Sequence, residues 1–444
     1  MSLSVKVRAL GSALAALLAV ASLHAESSTG VRLGVGMANP VVLAGGRQRG
    51  YLRVSLTGYA PESPGRRPPV NVALVLDRSG SMTGEKLENA KEAALVALDM
   101  LDQRDVLSVV TYDDTVSVLV GATELRDRDW IAGMIRRIRP GGSTALFAGV
   151  ARGAGEVRTA LSPDRVNRVI LLSDGLANVG PSTPGVLGDL GASLRKEGIS
   201  VSTIGLGLDY NEDLMVRLAR SSDGNHAFVE SPNDLVRIFS AEFRDILNVV
   251  ARDVTVRIRC ADGVVPLRAM GRDADIAGQD VYIGMSQIYG NQEKYVILEV
   301  ELPDLQAGKS ASVADVELRY TDLVTREGAT STAHAAVAFS ESPAAVRDRA
   351  DRSTLVEVVR QQAAETSEKA VELRDQGKVK EAKDLLEQTA ELLSSQAQDL
   401  DAPVLEEAGE AARRAASNLD DESWNAERKQ MRSEQYATQN QQSY

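Results

Sequence analysis

The chain has 444 residues, of which 43% are hydrophobic, 25% charged and 4% aromatic. That suffices for packed cores and for two to four domains. Lys plus Arg number 50 against 62 Asp plus Glu, a formal charge of −12, which argues against binding nucleic acid or anionic membrane through bulk charge. One cysteine, Cys260, and three histidines exclude an internal disulfide and a thiolate metal cluster, and leave little room for zinc chemistry.

Met1 to Ala25 reads as a secretory signal, with Lys6 and Arg8 before a short apolar stretch that contains the small-x-small triplet Ala19-Val20-Ala21. The apolar run is too short to span a bilayer, and no later segment is long and apolar enough. The mature chain is therefore expected to be exported, periplasmic or secreted, without a transmembrane segment.

Residues 27–66 alternate apolar and polar side chains, as in Val31-Arg32-Leu33 and Tyr51-Leu52-Arg53-Val54, and end in a Pro/Gly-rich linker, Pro61 to Pro69. From 68 to 248 the pattern changes to short buried strands such as Val72–Leu76, Val106–Val110, Val169–Leu172 and Ile199–Ile204, alternating with helical stretches. That alternation predicts an α/β unit with a doubly wound, mostly parallel sheet. The two-residue period returns over 249–340, so the predicted architecture is one discontinuous β-sandwich (27–66 and 249–340) with the α/β unit inserted in it. Residues 343–420 carry helical spacing broken at Gly377, which predicts an antiparallel helix pair and a third helix after Pro403. The polar tail, 421–444, is expected to be partly disordered.

One constellation carries chemistry. The buried strand Val72–Leu76 runs into Asp77-Arg78-Ser79-Gly80-Ser81, which sets a carboxylate and two hydroxyls at alternate positions of a tight loop. Hard oxygen donors of this kind suit Mg²⁺, Mn²⁺ or Ca²⁺. Gly141-Gly142-Ser143-Thr144 opens a helix, and Ser173-Asp174-Gly175 ends another buried strand. In an open parallel sheet the carboxyl ends of the strands gather at one edge, so Asp77, Ser79, Ser81, Thr144 and Asp174 are the candidate metal residues.

This order of residues resembles the metal-ion-dependent adhesion site of von Willebrand factor type A (VWA) domains, over roughly Val70 to Asn248. The flanking pattern is similar, more loosely, to exported bacterial proteins of that type and to inter-alpha-trypsin inhibitor heavy chains. The resemblance implies that Ser79, Ser81 and Thr144 bind the cation through their hydroxyls, with Asp77 and Asp174 acting mainly through water. It also implies a coordination position left for a carboxylate of a protein or acidic glycan partner. Mg²⁺ is the cation expected first, and Mn²⁺ and Ca²⁺ suit the same donors.

Other segments are weaker signals. Gly80 to Lys86 lacks the spacing of a phosphate loop, Gly205-Leu-Gly207 lacks the third glycine of a dinucleotide site, and no Gly-x-Ser-x-Gly elbow exists. Asp113-Asp114 is expected at a turn on the metal edge, His226 at the surface or in the core, and Cys260 in a β core. Residues 232–247 carry the apolar stripe of a final helix that, in related domains, shifts with site occupancy. The expected function is cation-dependent protein binding, for adhesion or assembly, and not enzymatic turnover. The alternative is a structural protein whose β-sandwich and C-terminal helices make the contacts while the α/β unit serves as a scaffold.

Overall fold

Residues 30–59, 67–420 and 422–442 are described by a computed structural model of the chain; the expected signal segment, 1–25, lies outside the described residues. The alternating stretch at the start forms β1 (Val31–Met37), β2 (Val41–Leu43) and β3 (Gln48–Gly58). Then comes the α/β unit: β4 (Val70–Asp77), α1 (Glu85–Met100), β5 (Val106–Tyr112), β6 (Val116–Glu124), α2 (Arg128–Arg136) and α3 (Leu146–Thr159). It continues with β7 (Val166–Ser173), α4 (Pro184–Lys196), β8 (Ile199–Leu206), α5 (Glu212–Ser222), β9 (His226–Val229) and α6 (Leu235–Leu247).

The strand order of this sheet is β6-β5-β4-β7-β8-β9. Every pairing in it is parallel except that of β5 with β6. Strands β4, β5, β7 and β8 are buried at every position, which is why they read as unbroken apolar runs. Successive β4 side chains serve opposite faces. Val72, Leu74 and Leu76 pack with α1, α2 and α6, whereas Ala73 and Val75 pack with α3, α4 and α5. The chain leaves β4 toward β5 on one side and resumes at β7 on the other. The switch in strand order therefore lies between β4 and β7, where an open α/β sheet presents a crevice at its carboxyl edge.

Helix α6 lies along the sheet with Leu235, Ile238, Phe239, Phe243 and Ile246 buried. Its Glu242 is fully buried and accepts from Arg168 of β7, from the Ser202 hydroxyl and, at 2.7 Å, from the Asn225 amide. One residue beyond α6 the chain enters the second β region, β10 (Val249–Cys260), β11 (Val265–Met270), β12 (Asp275–Ala277), β13 (Asp280–Tyr289), β14 (Glu293–Leu302), β15 (Ser310–Asp322) and β16 (Gly328–Ser340). The N-terminal strands join it: β1-β3-β14-β11 make one sheet and β12-β13-β10-β15-β16-β2 the other. Inner residues of both, among them Leu33, Leu52, Val256, Leu298 and Leu318, form one apolar cluster, so the two sheets pack as a sandwich. Cys260 is buried in that cluster, and burial pushes its thiol up to about 11.

The remaining elements are α7 (Pro343–Arg349), α8 (Arg352–Asp375), α9 (Val379–Leu400), α10 (Pro403–Ser417) and α11 (Trp424–Asn440). No helix among the described residues is long and apolar enough to cross a membrane. Helix α11 corrects the expectation of a partly disordered tail. Trp424, Met431 and Tyr436 are buried, and so are Lys429, Gln435 and Gln439. The polar members are satisfied within the interface: Lys429 pairs with Glu212 at 2.8 Å, Gln435 with Ser367 at 2.8 Å, and Gln439 with Arg220. A buried face of which half is polar side chains leaves little trace in hydropathy, so composition alone does not reveal this helix.

Candidate metal site

All five candidate oxygen-bearing residues stand at the carboxyl edge of the parallel sheet. Asp77 is the last residue of β4 and is fully buried. Its Oδ1 accepts the Ser79 backbone N–H at 2.8 Å and its Oδ2 accepts the Ser173 hydroxyl at 2.7 Å. Those bonds fold the loop back so that the Ser79 and Ser81 hydroxyls lie 3.0 Å apart. Ser81 donates to Asp174 Oδ1 at 2.7 Å, and Asp174 Oδ2 receives the Lys86 ammonium at 2.6 Å.

Thr144 arrives from the loop before α3. The two loops are stitched by Gly80 N–H to the Gly142 carbonyl at 2.9 Å and Gly141 N–H to the Arg78 carbonyl at 2.6 Å. That close approach needs glycine: a Cβ on Gly141 would lie 2.0 Å from Asp113 Oδ2. Asn178 accepts the Thr144 N–H at 2.8 Å and fixes the residue from the far side.

The three hydroxyls converge above Gly175. A Cβ built there would meet Thr144 Oγ1 at 3.2 Å, Ser81 Oγ at 3.3 Å and Ser79 Oγ at 4.0 Å. The missing side chain thus leaves a cradle lined by three hydroxyl oxygens, with the carboxylates of Asp77 and Asp174 behind it. Among the described residues there is no group of three or more His, Cys, Asp and Glu placed to hold a metal. Ser79, Thr144 and the two carboxylates are buried, while Ser81 is exposed, so the cradle opens to solvent on one side. Burial pushes the Asp77 carboxyl up to about 6, opposed by the Ser79 and Ser173 hydrogen bonds and assisted by the charge of Asp174. The donor set and the cradle fit a hard divalent cation held by hydroxyls, its charge balanced by the two acids.

Comparison with known proteins assigns the α/β unit. Its sequence matches the family model of the von Willebrand factor type A domain over residues 71–241. The chain carries a VWA domain. Similar curated proteins include an uncharacterized protein, sll0103, of Synechocystis sp., 28% identical over 61% of this chain and 66% of its own. YfbK of Escherichia coli, also uncharacterized, is 27% identical over 48% of this chain and 37% of its own. Inter-alpha-trypsin inhibitor heavy chain H2 of Mus musculus is 31% identical over 37% of this chain and 18% of its own. The chain spans less than two thirds of the length of each. Among solved structures, a von Willebrand factor type A protein from Catenulispora acidiphila matches with TM-score 0.69 and 19% identity, covering 86% of this chain and 91% of that one. The ArnB paralog VWA2 from Sulfolobus acidocaldarius matches with TM-score 0.60 and 17% identity, covering 94% and 99%. Both share the fold beyond the VWA domain itself.

Three residues around the VWA site were not singled out by sequence reasoning. Ser173 shows in the sequence only as the lead-in to Asp174, although it holds Asp77. Asn178 sits in a loop without periodicity. Lys86 shows in the sequence only as the end of a stretch that lacks the spacing of a phosphate loop. Its one signal was position, because a lysine in the first turn of α1 opposes the helix dipole and needs a partner. Asp113 stands at the expected turn but is buried and paired to Arg78 at 2.6 Å, whereas Asp114 is exposed. His226 is a core residue: burial brings its imidazole down to about 3, and Nδ1 lies 2.9 Å from the Thr203 hydroxyl.

Proposed function

We propose that this chain is an exported, divalent-cation-dependent protein-binding module, acting in adhesion or assembly through the carboxyl edge of its VWA domain. The observation that carries the reading is the convergence of the Thr144, Ser81 and Ser79 hydroxyls on the cradle above Gly175. Ser79, Ser81 and Thr144 would hold the cation, Mg²⁺ first, while Asp77 and Asp174 orient its water ligands. The cation, when bound, supplies an electrophilic position that a carboxylate of a protein or acidic glycan partner can take. Neutral hydroxyl donors favour this, since they leave more of the positive charge to be satisfied by the newcomer. Asp77 and Ser173 fix the loop before any partner arrives, so little ordering cost attaches to binding.

Turnover is outside this reading. General-base chemistry at Ser79 or Ser81 would want a histidine within reach. His226 is bonded to Thr203, and His334 lies in β16 paired to Asp315 at 2.8 Å. Export rests on the sequence of the first 25 residues.

The test is a pull-down from an envelope extract with intact protein, Asp77→Ala and Thr144→Ala, in Mg²⁺ and in chelator. A partner retained by the intact protein in Mg²⁺, and lost in chelator and in both variants while their folds survive, is the expected result. Retention that ignores the cation and both substitutions would overturn the reading and leave the sandwich and helices as the contact surfaces.

A further inference from the structure

Lys86 stands where a cation is least welcome. It is the second residue of α1, whose N-terminus carries the positive end of the helix dipole, and Gly84 before it supplies no side-chain cap. The ammonium nevertheless turns into the site, 2.6 Å from Asp174 Oδ2, with three quarters of its side chain covered and Asp174 fully buried. On its other side it packs against the β8–α5 turn. A Cβ on Gly207 would lie 3.6 Å from Lys86 Nζ, and Gly207 has the positive φ of 73° that suits glycine. The turn thus leaves room for the ammonium, and the two oxygens of Asp174 are divided between Ser81 and Lys86.

We infer that Lys86 sets the cation affinity of the VWA site, acting as a fixed internal counter-charge on Asp174. This rests on the reading that Asp77, Ser79, Ser81, Thr144 and Asp174 hold a divalent cation. Charge counting gives the direction. Two carboxylates alone would offer −2 to the cation; with Lys86 the site offers −1. A divalent ion entering it is repelled by the nearby ammonium and shares Asp174 with it, so it binds more weakly than the donors alone would dictate. The same count leaves the loaded site at +1 instead of neutral, which favours an anionic partner group over water or a neutral oxygen. Lys86 trades cation affinity for partner selectivity. It is a positioning residue, since it acts through Asp174.

The experiment is calorimetric titration of Mg²⁺ and of Mn²⁺ into the full chain, with thermal melts in chelator and in cation as a second readout. The proteins are the wild type, Lys86→Met, Lys86→Gln, Lys86→Arg and Asp77→Ala. Lys86→Met and Lys86→Gln are expected to bind at least about tenfold more tightly than wild type and to melt higher on cation addition, with Lys86→Arg within about threefold of wild type. The pair of neutral variants guards against one of them folding poorly, which the melts in chelator reveal. If the wild type binds and both neutral variants bind equally or more weakly, Lys86 merely props Asp174 and the inference fails while the site stands. If no variant that retains Asp77 binds either cation, the site reading itself falls, and this inference with it.

Discussion

At the scale of single residues, the decisive position bears no side chain. Gly175 follows Asp174, and its missing Cβ is the space that the Thr144, Ser81 and Ser79 hydroxyls surround. Gly175→Ala should put carbon in that space with the least overlap, and the rise in melting temperature on adding Mg²⁺ should disappear while the melting temperature in chelator stays near that of wild type. A variant that still gains stability from Mg²⁺ would put the cation elsewhere. The glycine was legible in the sequence only as a neighbour of Asp174. The five oxygen-bearing residues were legible because their chemistry is local: Asp77, Ser79 and Ser81 alternate in one loop, and Thr144 and Asp174 each sit where a strand or loop meets the sheet edge. Lys86 and Ser173 were not, because their partners, Asp174 and Asp77, lie 88 and 96 residues away in sequence, and no periodicity encodes such a pair.

At the scale of elements, what the sequence conveyed depended on how each element is buried. The parallel strands of the VWA sheet and the alternating strands of the sandwich bury apolar side chains, so their type and order could be read. Even so, the antiparallel β6, half exposed along its length, gave too little contrast to be singled out. Helix α11 failed for the opposite reason, its buried face being stocked with Lys429, Gln435 and Gln439. Its anchor is nonetheless aromatic. Tyr436 is 1% exposed, meets the His226 ring edge-on at 5.8 Å and donates to the Gly224 carbonyl at 2.5 Å. Tyr436→Ala should cost about 3 kcal/mol, read in denaturant melts, through the cavity and the unpaired carbonyl beside β9. A loss under about 1 kcal/mol would mean that α11 is only loosely seated on β9. Helix α6 is tied differently, through the fully buried pair of Glu242 with Arg168. Removing one member strands a charge in the core, so Glu242→Leu should cost about 3–5 kcal/mol, whereas Glu242→Leu combined with Arg168→Met should recover a large part of it. Additive losses in that double variant would show that the two residues do not act as a pair. A helix tied in this way by β7 and β8 can slide along the sheet only by breaking that network.

At the scale of the whole molecule, the end of α11 is where VWA domain, sandwich and helical region meet. The Gln442 side-chain amide pairs with the backbone of His226 on β9, donating to its carbonyl at 2.8 Å and accepting its N–H at 3.2 Å. On the other side, Gln441 accepts the Tyr295 N–H of β14 at 3.1 Å, and Lys294 donates to the Asn440 and Gln441 carbonyls. Gln361 of α8 adds a third tie, to the Thr438 carbonyl at 2.9 Å. Burial, with Arg272 adding to it, brings the Lys294 ammonium from 10.5 down to about 7, against the attraction of Asp223 and Asp245 and with some repulsion from Arg168. Between those two values the unfolded chain holds a proton on Lys294 that the folded chain has released. Stability therefore rises as pH increases from about 7 toward 10.5, and below 7 the folded protein bears the full cost of a buried cation. Over pH 7 to 9 the neighbours are silent: Asp245, pushed up to about 6 by burial and Glu242, has lost its proton below that range, and Tyr289, pushed up from 10.0 to about 12 by burial, keeps its proton until above it. Denaturant unfolding at pH 7 and pH 9 should show wild type gaining about 2 kcal/mol more than Lys294→Met. Equal gains in the two proteins would mean that the α11 carbonyls hold Lys294 charged throughout, and that the junction of the three regions is insensitive to pH.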